Sequence, residues 1–473
     1  MEFYINKLGK IDKATIELKD LTIICGPNSS SKTWLSYSIY HHLTSLRQPR
    51  WDPMDFPSAS ASASTFLNEG DTKFSVKSAK FREYLNALVA ELINESNKKI
   101  HLTFNSYPDT FRASSITSEV SEDYIDEMIS AILEMSYNIG LSGENLRLMT
   151  KEGDEHFYLI SDDIVEDNTE ERSDLSITSI VNILLRHIIN INIGVMESVL
   201  RPFVITSERV GSLVFQKDID GTTLTIKDKI EELLEATDSH EVEGVLREIS
   251  SLTFGHRANL AVPVRKNLIA VRNAEKELKK KSYLAIEHKY VSDSLLEIVK
   301  GKFSVESGNL VFSANDNSHQ LPITITSSSI KSLFMIDLYV NSLAQKGDVL
   351  LIDEPELNLH PDNQRLMAKV LARIANSGIK VIITTHSDYL IREINNAVML
   401  SHDLPSKSSI MTQHNMIEED LLKKEQISAY SVNSEGRVTP MDVMPSGIDT
   451  KIFDEIIINA NKLQEELYDE LGV

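Results

Sequence analysis

One cysteine, Cys25, stands in 473 residues. Alone it closes no intramolecular disulfide, and zinc sites built from several thiolates are excluded with it. Such a chain fits a reducing compartment, and the expected location is the cytosol. Long uninterrupted apolar runs are also missing. The most apolar long stretch, ITSIVNILLRHIININIGVMESVL (177–200), is broken by Arg186, His187, three asparagines and Glu197. That is too polar to span a bilayer. It reads instead as a buried helix, and no membrane contact is expected. Positive charge is in deficit, with 48 Lys and Arg against 70 Asp and Glu and a net charge of −22. This excludes a nucleic-acid binder that works by overall charge, so any DNA contact would be local. The one candidate surface is RKNLIAVRNAEKELKKK (265–281), with Lys279, Lys280 and Lys281 clustered; its other reading is a solvated helix face. The N-terminus, MEFYINKLGKIDKATIEL, has no charged-then-apolar signal segment and alternates apolar with polar, as a strand hairpin does.

What is present is a chain with 41% hydrophobic residues, long enough for about two to four units with cores of their own. Strand-like runs gather at the two ends and helical periodicity in the middle. LTIIC (21–25) is a short buried-strand run that leads into GPNSSSKT (26–33) and then into a helical pattern from Lys32 to about Leu46. The loop follows the phosphate-binding pattern G-x-x-x-x-G-K-[ST], except that Ser31 stands at the second glycine. PRWDPMDFPSASASAST (49–65) reads as a linker, 78–150 carries helical patterns and turn clusters, and 154–174 is an acidic, solvated run. Ile226, Ile230, Leu233 and Leu234, then Val242, Val245, Leu246 and Ile249, repeat a helical stripe and predict an inserted arm. The expected units are 1–48 and 301–410 for a split head, 200–225 as a further head segment, 49–199 and 226–300 as insertions, and 411–473 as a C-terminal extension.

Near the other end, GDVLLIDEPELNLHP (347–361) ends an apolar strand in two acids. In a parallel sheet the carboxyl end of such a strand reaches the site. Asp353 is the candidate for holding Mg²⁺, a hard cation that prefers carboxylate, and Glu354 for orienting and deprotonating an attacking water. KVIITTHSDYL (380–390) ends another strand at His386, the candidate contact to a γ-phosphate. Each piece has a plainer explanation: a surface lysine after a turn, an acidic strand end, a structural histidine. Their order in one chain, strand–loop–helix, then strand–Asp–Glu, then strand–His, favours a nucleotide site.

GPNSSSKT, SSSIKSL, LLIDEPELNLHPDNQ and TTHSDYL together resemble the ATP-binding-cassette (ABC) ATPases of the class that includes RecF, Rad50 and the overcoming-lysogenization-defect (OLD) nucleases. Within it, the chain looks most like compact ATPases of bacterial anti-phage systems: PtuA of Septu, retron-associated PtuA-like proteins and AriA of PARIS. The resemblance covers roughly a third of the chain, in the two terminal blocks. It implies an α/β fold: an ABC-type P-loop head split between N- and C-terminal parts, with a mainly helical insertion. It implies ATP and Mg²⁺ as ligands, with Gly26 opening the loop, main-chain N–H groups of Asn28, Ser29, Ser30, Ser31, Lys32 and Thr33 around the phosphates, Lys32 on the β- and γ-phosphates and Thr33 on the metal. Catalysis would then fall to Glu354, His386 and Lys32. ITSSSIKSL (325–333) stands where the signature motif belongs, so that Ser328, Ser329 and Lys331 would reach a γ-phosphate held by a second subunit. A Ser-rich turn before a helix is also an ordinary N-cap.

The resemblance therefore implies a homodimer through a nucleotide sandwich, with higher-order assembly beyond it. Asn358 and His360 would lie in the dimer-contact loop, or cap the helix that follows. FVITSERVGS (203–212) is similar to a strand-then-Glu-Arg segment, which leaves Glu208 and Arg209 near the nucleotide, at the link to the insertion, or in a surface ion pair. The 87 residues after His386 are too few for a Toprim nuclease domain, so a nuclease effector, of HNH or Toprim type, is expected on another polypeptide. The expected function is ATP hydrolysis in a sensor or scaffold subunit of an anti-phage complex; the alternative is a RecF-like DNA-repair clamp. A transporter motor is disfavoured by the 321 positions between Lys32 and Asp353.

Overall fold

The computed structural model describes residues 1–47, 73–75, 77–119, 121–133, 137–141, 144–150, 156–161, 200–216, 260–315 and 320–471. The 49–65 linker, residues 162–174 of the acidic run, 177–199 of the apolar stretch and the two stripes at 226–234 and 242–249 lie outside the described residues.

The chain begins with the hairpin that its alternation predicts: β1 (Glu2–Leu8) pairs antiparallel with β2 (Ile11–Glu17), closing at Leu8 opposite Ile11. Next come β3 (Leu21–Cys25), buried along its whole length, and α1 (Lys32–Arg47). After α2 (Ala79–Lys98), β4 (Ser115–Ser118) adds to the free side of β1. The middle of the chain supplies β5 (Arg201–Ile205), α3 (Val262–Arg272) and α4 (Lys289–Val299). Then follow α5 (Ser328–Leu338), β6 (Asp348–Asp353), α6 (Pro361–Asn376), β7 (Lys380–Thr385) and α7 (Asp388–Leu400). Toward the C-terminus lie β8 (Ile427–Val432), β9 (Val438–Met441) and α8 (Lys451–Leu471).

Six strands form the central sheet in the order β9-β8-β3-β7-β6-β5, all parallel except β9. Because successive side chains of a strand point to opposite faces, each central strand serves two cores. Ile23, Leu350, Ile352, Val381 and Ile383 face one side, where α4, α5, α6 and α7 pack. Ile24, Val349, Leu351 and Ile382 face the other, with α1 and the β1–β2 hairpin. Buried on both faces, these strands read as continuous apolar runs. No helix among the described residues is long and apolar enough to cross a membrane.

Two features differ from the reading above. The 49–199 segment holds helices at Ala79–Lys98 and Glu122–Leu133, and also an antiparallel sheet of Lys73–Ser75, His156–Ser161, Glu144–Thr150 and Tyr137–Leu141. The period-2 alternation of ENLRLMT, Leu146 and Leu148 against Asn145 and Arg147, is the signal for it. The residues set apart as a C-terminal extension, 411–473, supply β8 and β9 to the central sheet, so that sheet continues past residue 410.

A buried ion pair fastens the chain on its way to β8. Arg373 of α6 holds Asp420 with Nε–Oδ1 at 2.6 Å and Nη2–Oδ2 at 3.2 Å, and its Nη1 donates to the Tyr290 carbonyl at 2.7 Å. Both side chains are buried. Truncating one partner would leave the other charge unpaired, which costs about 3–5 kcal/mol. Arg373→Ala is expected to lose about that much in denaturant unfolding; a loss under about 1 kcal/mol, the range of an exposed pair, would show that Asp420 does not need its partner.

Candidate nucleotide site

The register of the parallel strands decides what meets at their carboxyl ends. Cys25 lies opposite Thr385, and Thr384 opposite Asp353, so the three chains leave the sheet side by side. The loop after β3 starts at Gly26, φ +153°, where an added Cβ would run into the Val432 carbonyl of β8; only glycine fits there. Ser29 and Ser31 both take left-handed backbone, φ +61° and +75°. For a residue with a side chain that costs roughly 1–2 kcal/mol, so Ser31 adopts the conformation that the usual glycine takes freely. Lys32 Nζ donates to the carbonyls of Gly26 at 2.9 Å and Pro27 at 2.8 Å. Burial lowers its pKa, and Glu354 and Asp353 oppose that shift. The N–H groups that open α1 have no carbonyl within the helix to meet, and the buried Ser30 Oγ has no hydrogen-bond partner among the described residues.

Asp353 joins the three chains. Thr33 Oγ1 donates to it at 3.0 Å (Oδ2) and 3.3 Å (Oδ1), and the Thr384 hydroxyl donates to Oδ1. Burial pushes the Asp353 carboxyl up, and the two hydroxyls hold it down. A hydroxyl and a carboxylate in contact are hard oxygen donors, the set that suits Mg²⁺ when phosphate oxygens and water complete its shell. Thr33 and Asp353, in contact, are the side chains that could hold it; among the described residues no group of three or more His, Cys, Asp and Glu is placed to hold a metal ion.

Glu354 turns away in left-handed backbone, φ +52°, with its N–H on the Thr384 carbonyl at 3.1 Å. Its carboxylate lies 3.5 Å from His386 Nδ1. The pair shifts as an ion pair should: His386 holds Glu354 below the usual carboxylate range, and Glu354 raises the imidazole. A second carboxylate, Glu356, was not singled out in the sequence. Its Oε1 accepts from Thr385 Oγ1 at 2.7 Å and from the His386 N–H at 3.0 Å, and lies 3.6 Å from Nδ1. Its position two residues after Glu354 in DEPEL was the available signal. Glu356 Oε2 is buried without a hydrogen-bond partner among the described residues.

Arg209 is fully buried, which overturns the surface ion-pair reading. It donates to main-chain carbonyls of Thr206, Ser332, Asp353 and Glu354, while Glu208 accepts from the Tyr37 hydroxyl of α1 at 3.4 Å. At the start of α5 the N-cap is Ser327, whose side chain accepts from the Ile330 N–H at 3.2 Å. Ser328 is exposed and Ser329 and Lys331 are half-buried; the bonds here run within the turn, Lys331 N–H to Ser327 and Ser332 Oγ to Ser329. The site therefore gathers Gly26, Ser30, Lys32, Thr33, Asp353, Glu354 and His386, while Ser328, Ser329 and Lys331 form a separate helix start. Asn358 takes left-handed backbone, φ +61°, and His360 is the exposed N-cap of α6, its Nδ1 accepting from the Asp362 N–H at 3.4 Å.

A family model described as "AAA ATPase domain" matches residues 1–391. No curated protein matches. Among solved structures, the chain is similar to an Smc head domain with an extended coiled coil, bound to the C-terminal domain of ScpA, from Pyrococcus furiosus, at 11% identity over 98% of each chain and a TM-score of 0.29. It is also similar to the SMC head domain from Thermotoga maritima, at 11% identity over 93% of this chain and 98% of that one, TM-score 0.28. An Smc head bound to the C-winged helix domain of ScpA matches at 10% identity over 93% and 97%, TM-score 0.33.

The Glu354–His386 pair has a pH signature. The raised imidazole contributes stability that is complete below its ordinary value of 6.5 and is lost as pH rises through the folded midpoint. The lowered Glu354 contributes stability that is lost as pH falls through its own folded value. In NMR titration His386 is expected to titrate above 6.5 and to fall back toward that value in Glu354→Gln; an unchanged midpoint in the variant would mean the two groups do not interact.

Proposed function

We propose, from the premise that the chain belongs to the AAA ATPase domain family, that it binds ATP with Mg²⁺ at the 26–33 loop and hydrolyses it at Glu354. The observation that carries this is the meeting of Thr33, Asp353, Glu354 and His386 at adjacent strand ends. Lys32, bound to two loop carbonyls, is the phosphate lysine; N–H groups of the loop and of the first turn of α1 cradle the phosphates. Thr33 and Asp353 would hold Mg²⁺, which supplies charge neutralisation at the β- and γ-phosphate oxygens. Glu354 orients the attacking water and takes its proton, with its carboxylate kept ionised by His386. His386, fixed through its main chain by Glu356, faces the γ-phosphate. The serine-rich start of α5 supports a two-subunit arrangement, in which Ser328, Ser329 and Lys331 reach the nucleotide of a partner. On that reading Arg209 serves the head's interior, the exposed Glu208 the link to α1 through Tyr37, and Asn358 and His360 the contact between subunits.

The finer role we propose is that of a nucleotide-controlled scaffold in an anti-phage complex, acting on a separately encoded nuclease in the cytosol; its support is the likeness of GPNSSSKT, LLIDEPELNLHPDNQ and TTHSDYL to such ATPases. The clamp alternative leaned on the 265–281 stretch. There Lys280 pairs with Glu277 at 2.7 Å and Lys279 with Glu275 at 3.6 Å, exposed pairs of the kind that contribute little and leave the lysines open to phosphate.

Lys32→Ala is expected to abolish ATP binding in calorimetry. Glu354→Gln should still bind ATP, lose about a hundredfold or more in turnover, and accumulate as an ATP-bound dimer by native mass spectrometry. Wild-type turnover in Glu354→Gln would refute its role. Purifying this variant from its native locus is expected to recover a nuclease encoded nearby at fixed stoichiometry; recovery with DNA alone would favour the clamp.

A further inference from the structure

Arg209 heads the fully buried side chains by volume. A buried guanidinium ordinarily meets a carboxylate, yet here the hydrogen bonds run to main-chain carbonyls. Nε donates to Ser332 at 3.0 Å, Nη1 to Thr206 at 3.1 Å and to Asp353 at 2.9 Å, and Nη2 to Glu354 at 2.7 Å. These acceptors belong to three places: the turn after β5, the end of β6 and the first turns of α5. Only a planar fork with several fixed donors spans them at once; an ammonium on a flexible stem does not.

What the fork holds is unusual. Glu354 occupies left-handed backbone, φ +52°, and its carbonyl accepts the shortest of the four bonds. Ser332 lies one turn into the helix that begins at Ser328. Next to Arg209, Glu208 accepts from Tyr37 of α1. The Thr206–Arg209 turn thus touches the helix after the phosphate loop, the acidic strand end and α5.

We infer that Arg209 is a positioning residue for the chemical step: it locks the Asp353–Glu354 corner to α5, so that turnover depends on its fork while nucleotide binding at the 26–33 loop does not. The inference rests on the ATPase reading above and deepens it. Arg209→Lys keeps the charge and loses the fork, and Arg209→Ala opens a space that free guanidinium fits.

In the full-length protein, Arg209→Lys is expected to bind a fluorescent ATP analogue within about threefold of the wild type while kcat falls about a hundredfold, the size of effect that a misplaced catalytic group produces. Hydrogen exchange should quicken together at residues 353–358 and 328–334, with or without nucleotide. In Arg209→Ala, added guanidinium should restore turnover and urea at the same concentration should not. Wild-type kcat in Arg209→Lys, equal losses of affinity and kcat, or no rescue by guanidinium would each overturn the inference. A wild-type protein that binds but never hydrolyses ATP would instead sink the ATPase reading, and the paired exchange at the two segments would still decide whether the tie exists.

Discussion

Parallel pairing of β3, β7 and β6 brings residues more than three hundred positions apart to one edge, because strands in register end together. Had β6 slipped by one residue, Asp353 would have exchanged faces with Ile352, and its carboxylate would have left Thr33 for the core. The register is held from both faces of the sheet, since each central strand contributes to two apolar clusters. That double anchoring makes the sheet a rigid frame on which a polar site can be built.

The polar edge is costly to assemble. Asp353, Glu354 and Glu356 crowd into a partly dry space, where burial, and to a lesser extent the Glu354 charge, push the Asp353 carboxyl up. The compensation is specific. Hydroxyls of Thr33 and Thr384 serve Asp353, His386 serves Glu354, and the cations of Lys32 and Arg209 lie close enough to act on the acids. Burial pulls Arg209 down to about 10, so it still carries its charge at neutral pH. Of the nine non-glycine residues with positive φ among the described residues, four, Ser29, Ser31, Glu354 and Asn358, lie in or beside the site. Non-glycine residues persist in that region only where surrounding bonds hold them, and such positions gather at functional sites.

Much of this was legible in the chain. The hairpin, the loop after an apolar strand, the acidic strand end and the histidine each have a local signature, and the order of the motifs implied that they meet. Other parts had none. Arg209 bonds to carbonyls, which every residue has, so nothing in the sequence points to its partners. Glu356 was visible as a second acid, yet its role depends on where Thr385 and the His386 N–H fall across the sheet. β8 enters the sheet after a break of helices and turns, and ISAYSV is too short and mixed to announce that it pairs with the distant β3 as well as with β9, its neighbour in the chain.

The central claim is that the Thr33–Asp353 contact marks where a metal and the phosphates of ATP meet. Electron paramagnetic resonance of Mn²⁺, a stand-in for Mg²⁺, tests this directly when recorded with ATP on the wild type and on Asp353→Ala. The account predicts one tightly bound Mn²⁺ that requires ATP and is lost in the variant. Mn²⁺ held equally without nucleotide, or unchanged in Asp353→Ala, would contradict it.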